Sequence, residues 1–318
     1  MNKLLKKTLY TSLVLICAAA LYNPLIAQQE QHNAHNMFNQ LSYNPAFAGS
    51  VGAICATGLV RQQWVGFDGA PQTYSINISS PLNILHGGVG ASVYQDKLGP
   101  QKEIGVKLMY AYRTDLGMGN LGIGASVGFI NGTIDFSQFI DGETVRDSGD
   151  ELLQSQADES DMLLDFGFGI QYLVPEKFYV AVSTTRLSEQ RSETLHYSTK
   201  RHYYLNAGYE FSFPNNPSFV VEPSILIKSD AVKTQYDVAA LLKYNNKVWG
   251  GVSYSAIRNM DPISVLVGLR IKDVRVGYAY TIPTSKIGSS GSHEIMIGYC
   301  FKLNFDKGRR SYKNTRFL

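Results

Sequence analysis

The chain has 318 residues, with 29 Lys and Arg against 26 Asp and Glu. Three of the lysines, Lys3, Lys6 and Lys7, precede an apolar run from Leu9 to Leu21 that ends before Pro24-Leu25-Ile26-Ala27, the pattern of a cleavable secretory signal over residues 1–27. Without it the charges balance, 26 (29 − 3) against 26, which excludes the basic field that nucleic-acid binding requires. Two cysteines remain, Cys55 and Cys300, too few for a disulfide framework or a zinc site. No later apolar segment has the length of a membrane-spanning helix.

Past residue 50 the ruling signal is a period of two. In Leu121-Gly-Ile-Gly-Ala-Ser-Val-Gly-Phe129 apolar residues alternate with Gly or Ser. Tyr236 to Tyr244 and Ile295 to Phe301 repeat the pattern. Such alternation puts one apolar face on a long strand. Taken in chain order, the segments predict about fourteen strands. They lie near 51–62, 72–80, 87–96, 102–114, 119–131, 162–173, 177–187, 200–213, 218–229, 234–245, 247–255, 262–271, 273–282 and 292–303.

The connections alternate as well. The even-numbered ones are short: 83–85, 116–118, 174–176, 214–217, Asn246 and Lys272. The two longest, 132–161 and 188–199, are odd-numbered. Membrane barrels place short turns on the periplasmic side and longer loops outside, and their strands run to about 9–11 residues. Soluble sandwiches have no reason to alternate. The 20 Tyr and 15 Phe, many near strand ends, suit two aromatic girdles. The pattern therefore predicts an all-β, transmembrane antiparallel barrel over 51–303 in the outer membrane, with both termini periplasmic. It leaves a periplasmic or plug segment at 28–50 and a basic tail at 304–318. That tail holds Lys307, Arg309, Arg310, Lys313 and Arg316, which suit an acidic partner or an anionic surface, or equally a disordered end.

Several patterns imitate chemistry. Gly117-Met-Gly-Asn-Leu-Gly122 spells a dinucleotide fingerprint but joins two strands with no helix behind it. Ser126, in a literal G-x-S-x-G, falls mid-strand instead of on a strand-to-helix elbow. His32 and His35 lack a third metal ligand nearby and read as a polar linker. The stretch 141–161 carries eight acids but no calcium-loop ladder, and reads as a solvated loop. No catalytic residue, metal or cofactor is expected. Cys55, early in the first strand, and Cys300, late in the last, would meet in a closed barrel if the register allows, in a compartment where disulfides persist.

One stretch is not generic barrel: Met37-Phe-Asn-Gln-Leu-Ser-Tyr-Asn-Pro-Ala-Phe-Ala-Gly-Ser50, then Arg61-Gln-Gln-Trp64, Gly66-Phe67 and Gly69-Ala-Pro71. With the ending Gly291-Ser-His-Glu-Ile-Met-Ile-Gly-Tyr299, it resembles the PorP/SprF family of the Bacteroidetes type IX secretion and gliding machinery. The resemblance implies an outer-membrane barrel that binds periplasmic secretion components or exported surface proteins such as adhesins. It marks Asn44, Pro45, Ala46, Gly49, Arg61, Trp64, Gly69 and Pro71 as family-motif and partner-binding candidates. Physically, Asn44-Pro45 favours a turn and Gly49 tolerates unusual backbone angles, so 37–50 would enter the barrel mouth or fold under it. Arg61 and Trp64 are interface-anchoring residue types, or else braces of the barrel. The competing functions are a channel for small solutes, since inward Gly122, Gly124 and Gly128 would leave a lumen or ease wall curvature. An outer-membrane lipase is the third reading, for which no Ser–His pair can be placed.

Overall fold

The computed structural model describes residues 31–135, 159–192, 198–256, 261–284 and 290–301. The signal segment 1–27, most of the acidic stretch 141–161 and the tail 304–318 lie outside the described residues. Fifteen strands follow in chain order: β1 Ile54–Gln62, β2 Gln72–Leu82, β3 Gly87–Leu98, β4 Gln101–Leu116, β5 Gly119–Ile134, β6 Glu159–Val174, β7 Phe178–Thr185, β8 His202–Tyr209, β9 Phe211–Phe213, β10 Asn216–Ser229, β11 Thr234–Tyr244, β12 Val248–Ala256, β13 Ile263–Ile271, β14 Val274–Thr281 and β15 Ser292–Phe301.

Apart from β8, which pairs with β10, each strand pairs antiparallel with the next, and β1 pairs with β15, so the sheet closes. β8 and β9 both pair with β10 and are interrupted only at Glu210, so together they form one stave. The result is a closed barrel of fourteen staves. The prediction of one strand over 200–213 is right in path; a register shift between Asn216 and Val220 breaks the ladder there.

The polarity is inside-out relative to a soluble barrel. Ile123, Val127 and Phe129 on β5, Tyr236, Val238 and Leu242 on β11, and Ile295 and Ile297 on β15 are exposed on the outer wall. Their alternates, among them Lys107, Asp165, Gln171, Asn206, Asp237 and Glu294, are buried inside. Apolar groups facing outward and charges facing inward suit lipid around the wall, not water.

Tight turns gather at one end: 117–118, 175–177, 245–247 and 272–273. Asn245, Asn246 and Lys272 there adopt positive φ, as tight hairpins require. The long connections open at the other end, although β3 and β4 are joined there by only Gly99 and Pro100. Tyr110 donates to the Leu85 carbonyl (2.7 Å) and Tyr172 to that of Leu116 (2.9 Å) at the short-turn rim. At the long-loop rim Tyr278 bonds His293 (2.7 Å) and Tyr280 donates to the Ser290 carbonyl. Hydroxyl-bearing rings thus mark both rims.

Candidate functional site: the filled lumen

Residues 31–50 neither hang below the barrel nor line its mouth; they lie inside it. Three 3₁₀ turns, Asn36–Phe38, Gln40–Ser42 and Pro45–Phe47, fold this segment compactly. Asn44 caps the third: its Oδ1 accepts from the Ala46 amide (2.9 Å), and Pro45 occupies the first helical position, where a missing N–H costs nothing. The Asn44 amide nitrogen also donates to the Val182 carbonyl on β7 (3.3 Å). Arg113 donates to the Ala46 carbonyl (2.9 Å), and the Gly49 amide donates to Ser79 Oγ (2.8 Å).

The wall is thinned to admit this backbone. A Cβ on Gly124 would lie 2.5 Å from the Ala46 nitrogen and the Pro45 carbonyl carbon, and one on Gly88 would lie 2.5 Å from the Ala48 oxygen. Gly122 faces the Ala46 carbonyl in the same way. Gly128 differs: its Cβ would meet the Val106 oxygen of the neighbouring strand at 2.1 Å. Glycine at 122 and 124 therefore leaves room, but the room is occupied by the chain's own segment.

Glu294 fastens the other end of the segment. Its Oε2 accepts from the Ala34 amide (2.8 Å) and from Arg61 Nη1 (3.1 Å). Its Oε1 accepts from the His35 amide (2.8 Å) and sits 2.7 Å from His35 Nδ1. Glu294 and His35 are fully buried and Arg61 is 3% exposed. A buried carboxylate is tolerated only when paired and hydrogen-bonded, and here two backbone amides, an imidazole and a guanidinium satisfy it.

Between these anchors the contacts run around the whole lumen. Tyr43 stacks on Tyr204 (5.2 Å between centroids), accepts from Asn206 (3.0 Å), and its carbonyl accepts from Ser183 (2.8 Å). Asn39 and Asn77 bond side chain to side chain. Met37 and Phe38 pack on Trp249, and Leu41 and Phe47 on Met109, Ala111 and Ala181. The wall is braced by Lys107–Asp165 (2.9 Å), Arg186–Glu103 (2.7 Å) and Lys243–Glu222 pairs.

The motif candidates thus separate. Asn44, Pro45, Ala46 and Gly49 belong to the filling segment. Arg61 points inward at Glu294, its cross-strand partner in β1 and β15, which leaves little of it to touch another protein. Trp64 lies in the 63–71 loop at the long-loop end, with φ of 44° and its amide on Ser292 Oγ (3.1 Å). In the same loop the Gly69 carbonyl accepts from Gly99 (2.9 Å) and that of Pro71 from Gln63 (3.0 Å). Cys55 and Cys300 are direct cross-strand partners on the lumenal side of the seam, with their sulfurs 2.14 Å apart.

Residues 117–122 run from a turn into β5, and Ser126 sits mid-β5 opposite Gly167. His32 and His35 are not a linker: His32 faces Ser255 (3.2 Å) and Asp237, and His35 faces Glu294. Among the described residues no cluster of three or more His, Cys, Asp or Glu could hold a metal. Sequence reasoning missed Glu294 and the inward charges Lys107, Asp165 and Asp237. Their signal was available, as charges at lumen-facing parity within otherwise apolar strands.

The model of the type IX secretion system membrane protein PorP/SprF family matches residues 25–299. The chain belongs to this family. A comparison with curated proteins found no match. Among solved structures, the chain resembles the CymD monoaromatic hydrocarbon channel, at 13% identity and a TM-score of 0.50 over 87% of this chain and 95% of that one. It also resembles the Ralstonia pickettii toluene transporter TbuX, at 12% identity and a TM-score of 0.48 over 82% and 92%. The Acinetobacter baumannii outer membrane protein Omp33 aligns at 12% identity and a TM-score of 0.44 over 78% and 98%. At such identities the likeness concerns the barrel fold alone. Membership of this family, with that fold, makes the chain an outer-membrane barrel of type IX secretion.

Proposed function

We propose that this PorP/SprF barrel is a non-catalytic anchor or adaptor in type IX secretion or gliding, holding periplasmic secretion components or exported surface proteins such as adhesins. The signal 1–27 is removed, the short-turn end faces the periplasm, and the basic tail 304–318 reaches a partner or surface there. The observation that carries the reading is the filled lumen. A solute channel needs a continuous aqueous path, whereas here residues 31–50 occupy the interior and are fixed to most of the surrounding strands. What the barrel offers to partners is then its two rims.

At the short-turn rim the apolar residues Ile84 and Met118 are 87% and 70% exposed, close in sequence to the Leu85 and Leu116 carbonyls that accept from tyrosine hydroxyls. At the opposite rim Phe67 is 50% exposed. An affinity-tagged barrel should co-purify secretion components or a surface protein. Ile84→Asp with Met118→Asp should lose the former by tenfold or more, and Phe67→Asp the latter. A wild-type barrel that retains no protein and passes small solutes freely in planar bilayers would favour the channel instead.

A further inference from the structure

The direction in which the chain enters its own barrel is readable from which strand ends hold its first residues. The Gln31 carbonyl accepts from Lys228, next to the last residue of β10 (3.4 Å). His32 meets Ser255, next to the last of β12, and Asp237 near the start of β11. Ala34 and His35 are held by Glu294, the third residue of β15, and thereby by Arg61, next to the last of β1. All five positions lie at the long-loop end of their strands. Residues 46–49, by contrast, touch Gly88, Pro81 and Gly122 at the short-turn end, where the chain goes on into β1.

A polar cavity lies against Gln31 and His32, lined by Ser75, Ser92, Tyr94, Lys107, Arg186 and Lys228. A second cavity lies at the short-turn end against Phe38 and Trp249, lined by Lys243, Arg270 and Arg275, so the direction rests on the strand-end contacts.

We infer that the chain enters its own barrel from the long-loop mouth, so that Gln31 and the downstream end of β15 at Phe301 lie at opposite ends of the barrel. With the long loops outside, Gln31 then faces the cell surface and Phe301 the periplasm. It is an alternative to the expectation that both termini are periplasmic.

The inference rests on the orientation proposed above, and the test separates the two. An epitope with a short Gly/Ser spacer is inserted after Gln29; marker epitopes after Asp68 and after Lys247 report the long-loop and short-turn ends. Antibody binding is compared on intact cells and after outer-membrane permeabilisation, with barrel assembly scored by heat-modifiable migration. Binding to the Gln29 and Asp68 epitopes on intact cells, with Lys247 reached only on permeabilisation, is expected. Asp68 bound on intact cells but Gln29 only after permeabilisation overturns the threading. Asp68 bound only after permeabilisation overturns the orientation. If the Gln29 insertion blocks assembly, Gln29→Cys decides with an impermeant maleimide, the labelled peptide being identified by mapping. Labelling on intact cells supports the inference, and absence of labelling there overturns it.

Discussion

At the scale of single residues, function and stability meet at Glu294. Its four donors come from two parts of the chain, residues 34–35 and β1, and meet it on β15. Removing the carboxylate leaves two buried amides, an imidazole and a guanidinium without their acceptor. Breaking a buried pair by deleting one partner costs roughly 3–5 kcal/mol, a hundredfold or more in an equilibrium. Glu294→Ala should therefore loosen the segment at 34–36 while the wall, held by its own ladders, stays closed. Limited proteolysis should cut within 31–50 at least a hundredfold faster in the variant, and unchanged protection would refute the role given to Glu294. The residue types of this node were readable in the sequence, but their convergence was not. His35 and Glu294 lie 259 residues apart, and no local pattern reports which inward side chain a lumenal segment will meet. For the same reason Arg61 stayed open between interface anchor and barrel brace: parity tells which face it takes, and only closure of β1 on β15 supplies its partner.

At the scale of elements, strands were legible because period two is a property of each strand by itself. The alternation of connections carried the barrel further, since it depends on the sheet passing repeatedly through one layer. The filling segment was not legible. Its 3₁₀ turns are short and carry no hydrophobic period, and their shape depends on the wall around them. The inward glycines show the limit well, as Gly124 and Gly128 share a strand face and differ only in what lies opposite. Gly124→Val should press on Pro45 and Ala46, at about 1–3 kcal/mol for overpacking, and displace the segment from an otherwise folded barrel. Bilayer conductance should then rise well above that of the wild type. Gly128→Val presses instead on the β4 backbone and should lower the yield of folded barrel without opening the lumen. Equal effects of the two substitutions would show that Gly124 serves wall curvature and not the fit of the segment.

At the scale of the whole molecule the decisive event is closure of β1 on β15, the pairing that joins the two ends of the sheet. That seam is fastened at both ends from the lumenal side: Arg61 opposite Glu294 near the long loops, and Cys55 opposite Cys300 near the short turns. The ladder between them is ordinary sheet, so unfolding that starts at the seam must break one of the two fasteners. A bond between Cys55 and Cys300 spans 245 residues of sequence, and constraining so long a loop in the unfolded chain contributes on the order of 2–4 kcal/mol. Because the seam is also where the filling segment passes into β1, the bond has a second effect: it keeps the exit of that segment registered against the last strand. Cys55→Ser should thus leave the fold intact but lower the temperature at which the detergent-resistant barrel unfolds, and dithiothreitol should reproduce the drop in the wild type alone. Peptide mapping without reductant should recover residues 55 and 300 on one linked fragment. Two free thiols in the mature protein, or a variant as heat-resistant as the wild type, would leave the Arg61–Glu294 pair as the only fastener of the seam among the described residues.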